Sequence, residues 1–358
     1  MEIIPGLPNE IGRECLIRVP YDRFATLISV SRTWKQEVKS AEFFQRRKTS
    51  GLNQSMIAIL QTDPTNFITT TNNPHITTPK YRLCLYEPGK NERITLPAIP
   101  GCDDGVPLFC QCAGVGRNLV VIGGWDTKSW QVLNSVYIYN LVTGTWRRGA
   151  DLPGDTRSFF ACASDSKTVY IAGGHDQEKN ALKSALAYDV SGNVWAPLPD
   201  MARHRDECKG LFYGGKFHVI GGYQTEMQGD FEKSAETFDV ETGTWNPVEE
   251  DVLGTDAYPK TCLFDNKGNL YKCCASYLGR LYGSTWQRFA EFPVDVCTGT
   301  FIATWGETIV VIGSKIYGGS LNCYALVFGE HKEKCGWTKL EMPKEFIGSV
   351  QFGCNLQL

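Results

Sequence analysis

The sequence predicts a mostly β protein, a closed ring of six four-stranded sheets, preceded by a small all-α domain. Two observations predict this fold. A Gly-Gly pair at the end of a short apolar run occurs three times, each followed by a tryptophan 22 to 24 residues after its first glycine, and the first 50 residues have helical periodicity instead. The three copies are Gly123-Gly124 with Trp146, Gly173-Gly174 with Trp195, and Gly221-Gly222 with Trp245. The expected boundaries are 1–50 for the helical domain and 51–358 for the ring.

Each clear copy of the repeat reads as four strands: an apolar strand, a second apolar strand that ends in Gly-Gly, an aromatic-rich strand, and a short strand with the tryptophan. In the first copy these strands are PLFCQCAG, LVVIGG, SVYIYN and GTWRR. A Thr-Gly or Ser-Gly dipeptide separates the third strand from the fourth, where glycine permits the positive φ of a tight hairpin. The unit is therefore one sheet of a β-propeller, a blade.

Three further units are weaker. One has Cys273-Cys274 at the glycine position and an early Trp286, which predicts a shortened third strand or loop; another has Gly313-Ser314 and Trp337. The first unit, MIAIL, YRLCLYEP and RITLP, has only three recognisable strands. Because the C-terminal SVQFGCNLQL resembles an opening strand, residues 347–357 are expected to complete that unit and close the ring without a free sheet edge.

Composition restricts the classes of partner and compartment. The formal net charge of -3 argues against nucleic acid as the main partner. The sequence has no apolar run of membrane-spanning length, and MEIIPGLPNE lacks the features of a signal peptide, so no membrane association is expected. The expected location is the cytoplasm, with the nucleus as a second compartment. The 14 cysteines are scattered through strand-like runs without a CxxC motif, which favours reduced core residues over disulfides or zinc ligands.

The N-terminal segment predicts a bundle of short helices. Apolar residues at helical spacing from Leu7 to Val19 predict the first helix, with Pro8 at its first position and Pro20 after its end. Three shorter helices follow and end near Gly51. About 45 residues cannot bury so many apolar side chains alone, so part of this surface is expected to be covered by another protein.

The string LPNEIGRECLIRVPYDRFATLISVSRTWKQEV resembles an F-box, and the blades, with the tyrosine or phenylalanine of VYIYN, LAYDV and ETFDV, resemble kelch repeats. The strings RKTSG, LPAIPG, GVPLFCQCA, RSFFAC, AGGHDQEKNAL and GYQTEMQGDFEKSAE are similar to those of the small plant F-box/kelch proteins that direct the turnover of phenylalanine ammonia-lyase. The same group includes relatives that act on chalcone synthase and on type-B response regulators of cytokinin signalling.

This resemblance implies a substrate adaptor of an SCF-type (SKP1–cullin–F-box) ubiquitin ligase, which recruits a target such as phenylalanine ammonia-lyase for proteasomal degradation and so regulates phenylpropanoid metabolism. The implied partners are a SKP1-like protein and, through it, cullin-1. Two alternatives remain open: a helical cap on the ring, and a kelch scaffold that binds proteins without degrading them. The residues implied in SKP1 binding are Leu7, Pro8, Ile11, Leu16, Pro20, Leu27, Val30 and Trp34.

Substrate contacts are expected on one face of the ring. In a four-stranded blade, the loops from strand two to strand three and the connections between blades emerge on the same face, and here those are the long, chemically varied segments. Aromatic residues and arginine are typical anchors of protein interfaces. The candidates are Trp125, Asp126, Trp130, Arg157, His175, Asp176, Arg203, His204, Arg205, Asp206, Tyr223, Gln224 and Tyr317.

Nothing in the sequence requires chemistry of its own. HExxH, GxSxG and GxxxxGK[ST] motifs are missing. A propeller oxidase would need histidines and tyrosines around copper at the ring axis, and only His175 and His204 fall in loops of the candidate face. The other histidines are His75, His218 and His331. The prediction is therefore no catalytic residue, no metal and no cofactor.

Overall fold

The computed structural model of the chain describes residues 2–69, 77–90, 93–102, 105–154, 156–254, 259–317, 319–328, 335–343 and 350–358. Four short helices come first: α1 (Asn9–Ile17), α2 (Phe24–Val30), α3 (Arg32–Lys39) and α4 (Ala41–Thr49). Pro8 lies one residue before α1, as its N-cap. The hydroxyl groups of Ser31 and Ser40 cap α3 and α4 by accepting a backbone N–H from Trp34 and Phe43, each at 3.1 Å.

The rest of the described chain forms six four-stranded antiparallel sheets, so the predicted six-bladed propeller with an all-α N-terminal segment is confirmed. Blade 1 is built from the last strand, β24 (Val350–Gln357), followed by the first three strands of the ring, and blades 2 to 6 each take four consecutive strands. The first three strands are β1 (Ser55–Thr69), β2 (Thr77–Tyr86) and β3 (Arg93–Thr95). Blade 2 contains β4 (Gln111–Val115), β5 (Asn118–Ile122), β6 (Val136–Asn140) and β7 (Thr145–Arg148). Blade 3 contains β8 (Ala161–Ser164), β9 (Thr168–Ala172), β10 (Ala185–Asp189) and β11 (Val194–Leu198).

Blade 4 contains β12 (Lys209–Tyr213), β13 (Lys216–Ile220), β14 (Ala235–Asp239) and β15 (Thr244–Trp245). Blade 5 contains β16 (Cys262–Phe264), β17 (Leu270–Cys273), β18 (Tyr277–Tyr282) and β19 (Thr285–Glu291). Blade 6 contains β20 (Thr298–Trp305), β21 (Thr308–Ser314), β22 (Leu321–Phe328) and β23 (Cys335–Leu340), and β24 (Val350–Gln357) follows it. Only residues 274–276 separate β17 from β18, so the shortened loop expected from the early Trp286 is present.

The ring is closed by pairing of the last strand with the first. β24 is antiparallel to β1, with Ser55 opposite Gln357 and Leu60 opposite Phe352. The backbone groups of Gln54 and Leu358 extend this ladder by two hydrogen bonds of 2.6 and 2.9 Å. Residues 347–349 of the segment expected to close the ring lie outside the described residues. Blade 1 thus combines strands from both parts of the ring sequence, and β1 has a partner on each side.

The glycine pairs allow the backbone to pass where a side chain has no room. Gly124 has a φ of +95°, and a Cβ there would lie 2.7 Å from the carbonyl oxygen of Leu108. In each of blades 2 to 5, the tryptophan of the fourth strand donates its indole N–H to a backbone carbonyl of the connection that enters the blade. The four pairs are Trp146 to Pro97 (2.8 Å), Trp195 to Ala150 (2.9 Å), Trp245 to Pro199 (2.7 Å) and Trp286 to Val252 (2.8 Å). The repeated tryptophans therefore fasten neighbouring blades together.

The helices share one apolar core with blades 1 and 2. Leu16, Phe24 and Phe43 pack in the same cluster as Leu119 and Leu141. At the rim of this contact, Arg117 donates to the carbonyl of Lys39 at 2.8 Å and lies 4.6 Å from the ring centre of Phe44. The helical segment is therefore fixed against two hairpins of blade 2, the one between β4 and β5 and the one between β6 and β7.

Within the described ranges, no helix has the length and apolar character needed to span a membrane. All 14 cysteines are free thiols.

Candidate functional site

The propeller has two different faces. The hairpin face carries the short turns within blades and is partly covered by the helices, as at Arg117. The loop face, on the opposite side, carries the long segments that follow each Gly-Gly pair, 123–135, 173–184 and 221–234, together with the connections between blades. The candidate site is the loop face, because its segments are long, varied in sequence and free of the helical domain.

One position of the repeat organises three of these loops. The residue after each Gly-Gly pair forms an isolated antiparallel bridge with the connection that enters its blade. The pairs are Trp125 with Leu108, His175 with Ser158, and Tyr223 with Asp206. Three residues of these connections, Phe109, Phe159 and Glu207, have left-handed φ values of 55°, 56° and 51°. The same backbone turn thus recurs in blades 2, 3 and 4. The bridged residues Trp125, His175 and Tyr223 occupy equivalent positions in the three blades.

His175 joins two blades by hydrogen bonds from both ring nitrogens. Its Nδ1 lies 2.8 Å from Asp206 Oδ2, and its Nε2 lies 2.8 Å from Ser158 Oγ. Because a carboxylate oxygen accepts, Nδ1 donates to Asp206, and Nε2 then accepts from the Ser158 hydroxyl. The serine, histidine and aspartate are in the hydrogen-bonding order of a hydrolase triad, but Ser158 is 0% exposed, so its hydroxyl has no access to a substrate in solution. The arrangement fixes the position of the loops.

The arginines of the loop face are occupied by internal bonds. Arg157 donates to the carbonyl of Ser184 at 3.1 Å and to its hydroxyl at 2.8 Å. Arg205 is 0% exposed, pairs with Glu236 at 3.0 Å and donates to the carbonyl of Gly221 at 2.8 Å. Arg157 also donates to the carbonyl of Gly173 at 3.4 Å, so each arginine supplies a donor to the carbonyl of the first glycine of a Gly-Gly pair.

Arg203 is less enclosed but pairs with two carboxylates, Glu232 at 3.0 Å and Glu250 at 2.6 Å. Together these bonds hold the blade 4 loop against the connections on either side of blade 4.

Asp126 and Asp176 shape their loops through short-range hydrogen bonds. Asp126 Oδ1 accepts from the backbone N–H and the hydroxyl of Ser129 at 2.7 and 2.8 Å, and Asp176 accepts twice from Asn180. Burial tends to raise the pKa of both carboxyls, but these donated bonds outweigh it and the pKa of each is lowered. Both aspartates are therefore ionised at neutral pH and act as loop braces.

The predicted substrate residues thus divide into two groups. Five are buried and engaged inside the loops, so they cannot contact a partner unless the loops rearrange: Arg157, His175, Arg205, Asp206 and Tyr223. The others reach the surface to different degrees, with Trp130 38% and Tyr317 83% exposed, His204 and Gln224 exposed, and Trp125, Asp126, Asp176 and Arg203 half-buried. The accessible part of the prediction is led by its two aromatic side chains.

Two exposed apolar residues near Tyr317 were not predicted from the sequence. Val294 is 88% exposed in the connection before blade 6, and Ile316 is 67% exposed beside Tyr317 in the loop after β21. The two segments are held together, since Cys297 donates its backbone N–H to the carbonyl of Ser314 at 2.9 Å. One sequence signal could have identified them. Both are apolar residues in loops, where the repeat pattern assigns no core position.

On the other side of the molecule, the predicted SKP1-binding residues also divide by burial. Leu7, Ile11 and Val30 are 37%, 49% and 58% exposed, and Pro8 and Pro20 are exposed as well. Leu16 and Leu27 lie in the internal core instead, at 2% and 8% exposed, so their side chains are not available to a partner.

Trp34 is half-buried, and its indole donates to the carbonyl of Ile3 at 2.6 Å. This bond brings the start of α3, next to Val30, against the segment that precedes Leu7. An exposed apolar surface is thereby assembled from two parts of the helical segment.

No group of three or more potential metal ligands is present in the part of the chain that the structure describes. His218 lies on β13, where Thr237 Oγ1 is 3.1 Å from its Nδ1 and burial lowers its pKa. His75 and His331 lie outside the described residues.

Comparisons with known proteins give one consistent family. A model described as the KLHDC2/KLHL20/DRC7 Kelch-repeats domain matches residues 110–275. The chain is 43% identical over 364 residues to F-box/kelch-repeat protein At1g15670 of Arabidopsis thaliana, with 100% of both chains covered. It is 35% identical to F-box/kelch-repeat protein SKIP20 of the same plant, over 99% of this chain and 96% of that protein. Among solved structures, YjhT aligns with a TM-score of 0.57 and 16% identity over 72% of this chain and 90% of the other, a similarity that concerns the fold alone.

Proposed function

The chain belongs to the F-box/kelch-repeat family, and from this premise we propose that it is the substrate-recognition adaptor of an SCF-type ubiquitin ligase. The helical segment binds a SKP1-like protein and, through it, cullin-1. The loop face of the propeller binds the protein to be ubiquitinated, and ubiquitin transfer takes place on other subunits. The adaptor contributes a high effective concentration of the target near the ligase.

The observation that carries this proposal is the opposition of two surfaces. Leu7, Ile11 and Val30 are apolar and exposed on the helical segment, where solvent contact is unfavourable unless a partner covers them. The aromatic side chains Trp130 and Tyr317 are exposed on the loop face, which lies across the ring. Because the two surfaces do not overlap, one chain can bind a ligase subunit and a target at the same time.

SKP1 binding is tested with the full-length variant Leu7→Ala/Ile11→Ala. Removing two exposed apolar side chains from the middle of the surface is expected to weaken binding to a SKP1-like protein by about tenfold or more, while the free energy of unfolding changes little. The matched control is Val194→Ala, which truncates a 55% exposed apolar residue on β11 of the propeller and should bind SKP1 normally. Undiminished binding by the double variant would remove the helical surface from the proposal.

Substrate binding is tested with Trp130→Ala/Tyr317→Ala. This variant should bind SKP1 with normal affinity and lose target binding, because both side chains lie on the loop face. Tyr282→Ala serves as the control, since Tyr282 is 40% exposed at the β18–β19 hairpin on the opposite face. Loss of target binding by the control to the same extent would contradict the assignment of the loop face.

For the target itself, we propose phenylalanine ammonia-lyase, which makes the adaptor a regulator of phenylpropanoid metabolism. The support is the similarity of the loop strings, such as AGGHDQEKNAL and GYQTEMQGDFEKSAE, to the adaptors of that enzyme. The measurement is binding of purified phenylalanine ammonia-lyase to the full chain, with chalcone synthase and a type-B response regulator in parallel. Selective binding of either of the latter would replace the target, and binding without ubiquitination in a reconstituted ligase would favour the non-degradative scaffold.

A further inference from the structure

The mouth of the ring channel on the loop face contains a cavity of about 320 Å³. It is formed where the innermost strands of the blades begin, and its lining includes Lys209 of β12 and Gln351 of β24. Five phenylalanines also line it: Phe109, Phe159, Phe160, Phe301 and Phe352. The rings of Phe109 and Phe159 are in contact, with centroids 4.9 Å apart. A single amine therefore lies in an aromatic collar at the ring axis.

Lys209 has no counterion among the described residues that line the cavity. No carboxylate forms an ion pair with it anywhere in the described ranges, and the groups that influence its charge are the thiols of Cys112, Cys162, Cys262 and Cys354. Burial raises the pKa of Cys162 and of Cys262 to about 12, so these two thiols are neutral near pH 7. Burial also lowers the pKa of the Lys209 amine, as expected for a cation surrounded by protein without an opposite charge.

A second polar group in the same cavity lacks a partner. The side-chain oxygen of Gln351 is buried and accepts no hydrogen bond from any residue that the structure describes. Buried acceptors in folded proteins nearly always have a partner, so an unpaired one that lines a cavity indicates space for a donor. The cavity therefore offers one amine donor, one unpaired acceptor and several aromatic rings, beside the polar side chains of Gln111, Thr261 and Thr300.

We propose that the channel mouth binds a carboxylate attached to an aromatic ring with a hydroxyl or amine donor, with the carboxylate on Lys209 and the donor on Gln351. The volume of about 320 Å³ lies at the lower end of the range of about 300–1,000 Å³ that is typical of small-molecule sites. The phenylalanines provide the apolar surface that buries the ring of the ligand. The site is distinct from Trp130 and Tyr317, and the inference does not rest on the proposed ligase function, since it concerns the purified chain alone.

The test uses calorimetric titration of the full-length protein with para-hydroxyphenylpropionate, and with the corresponding primary amide as the uncharged control. The acid is expected to bind saturably with a Kd tighter than about 1 mM, and the amide at least about tenfold more weakly. A short peptide that ends in tyrosine, with a free or an amidated carboxyl end, is titrated in parallel. Binding of para-hydroxyphenylpropionate assigns the site to a small molecule. Binding of the peptide with a free carboxyl end, without binding of para-hydroxyphenylpropionate, assigns the site to a carboxylate carried by a protein.

Two variants locate the binding. Lys209→Met removes the cation and should weaken binding of the acid by about tenfold or more, while Tm without ligand stays the same or rises because an unpaired charge is gone. Gln351→Glu supplies an internal carboxylate and should also prevent binding. Lys216→Met, on the neighbouring strand of the same blade, is the control and should bind as the parent does. Equal binding of acid and amide, an unchanged Kd in both variants, or no saturable binding of acid or peptide would each overturn the proposal.

Discussion

Gly174 illustrates how single residues set the geometry of a blade. Its φ is +81°, and a Cβ would lie 3.0 Å from both the backbone nitrogen and the Cβ of Phe160. The glycine therefore meets two requirements at once, a left-handed backbone and a close approach of two chain segments. Gly154 has nearly the same φ, +78°, but no atom of the described residues lies within 4 Å of a Cβ there, so it meets the first requirement alone.

Replacing Gly154 or Gly174 by alanine should therefore lower the free energy of unfolding by different amounts. Gly154→Ala should lower the free energy of unfolding by about 1–2 kcal/mol, the cost of a left-handed alanine. Gly174→Ala should lower it by about 2–5 kcal/mol, because overpacking against Phe160 is added to that cost. Urea unfolding followed by tryptophan fluorescence measures both, and equal losses would show that the crowding at Gly174 is relieved by movement of its neighbours.

The sequence predicted the residues that build the blades better than those that are exposed on the face. Gly-Gly spacing and tryptophan spacing are local signals, so their structural role could be read directly from the repeat. Whether Arg157 or Arg205 faces solvent depends on which loop carbonyls come near it, and that is decided by packing between segments far apart in sequence. Residue type alone therefore predicted that these arginines contact a partner, whereas in the fold they hold the loops in place.

At the scale of elements, β24 has two roles, in the sheet of blade 1 and in the core that the helices share with the propeller. It pairs with β1 through residues Ser55 to Gln61, and it also brings Phe352 into the core shared with the helices. Without it, β1 would become the edge strand of an incomplete sheet, and the ladder that completes blade 1 would be lost. The strand thus stabilises blade 1 and the contact with the helical segment together.

The corresponding prediction is that deletion of Val350–Leu358 yields protein that aggregates, because the open edge of β1 and the exposed ring core can pair with other chains. Size-exclusion chromatography and thermal unfolding of the deleted and full-length proteins measure this. A monomeric product with an unchanged Tm would contradict it. The identity of this strand could be predicted from the likeness of SVQFGCNL to opening strands, whereas the pairing register with β1 required the structure.

At the scale of the whole molecule, the helical segment and the propeller are not independent. Phe24 and Phe43 are 0% exposed, and the core around them includes Leu119, Tyr139 and Val142 of blade 2. An F-box-like segment without this surface would leave large apolar side chains in water. The sequence indicated that these helices need a partner, but it could not show that part of the partner is the chain's own propeller.

We therefore expect residues 1–50, produced alone, to have little stable helix by circular dichroism and to bind a SKP1-like protein much more weakly than the full chain does. The physical reason is that a short segment cannot offset its conformational entropy without the apolar surface of blade 2. A fully helical, tightly binding fragment would show that the shared core is dispensable. Addition of the SKP1-like protein to the fragment distinguishes folding on binding from a permanent loss of structure.

The closure of blade 1 by β24 has a consequence for synthesis of the protein on the ribosome. β1 is made early and its partner last, so about 290 residues separate the two halves of this sheet, and their pairing must wait until nearly all of the chain has emerged. Until then a nascent chain has an incomplete ring and an incomplete channel mouth, since Gln351 and Phe352 are supplied by β24. A chain that terminates before β24 cannot complete blade 1, and we expect its open sheet edges to be recognised by chaperones and proteases.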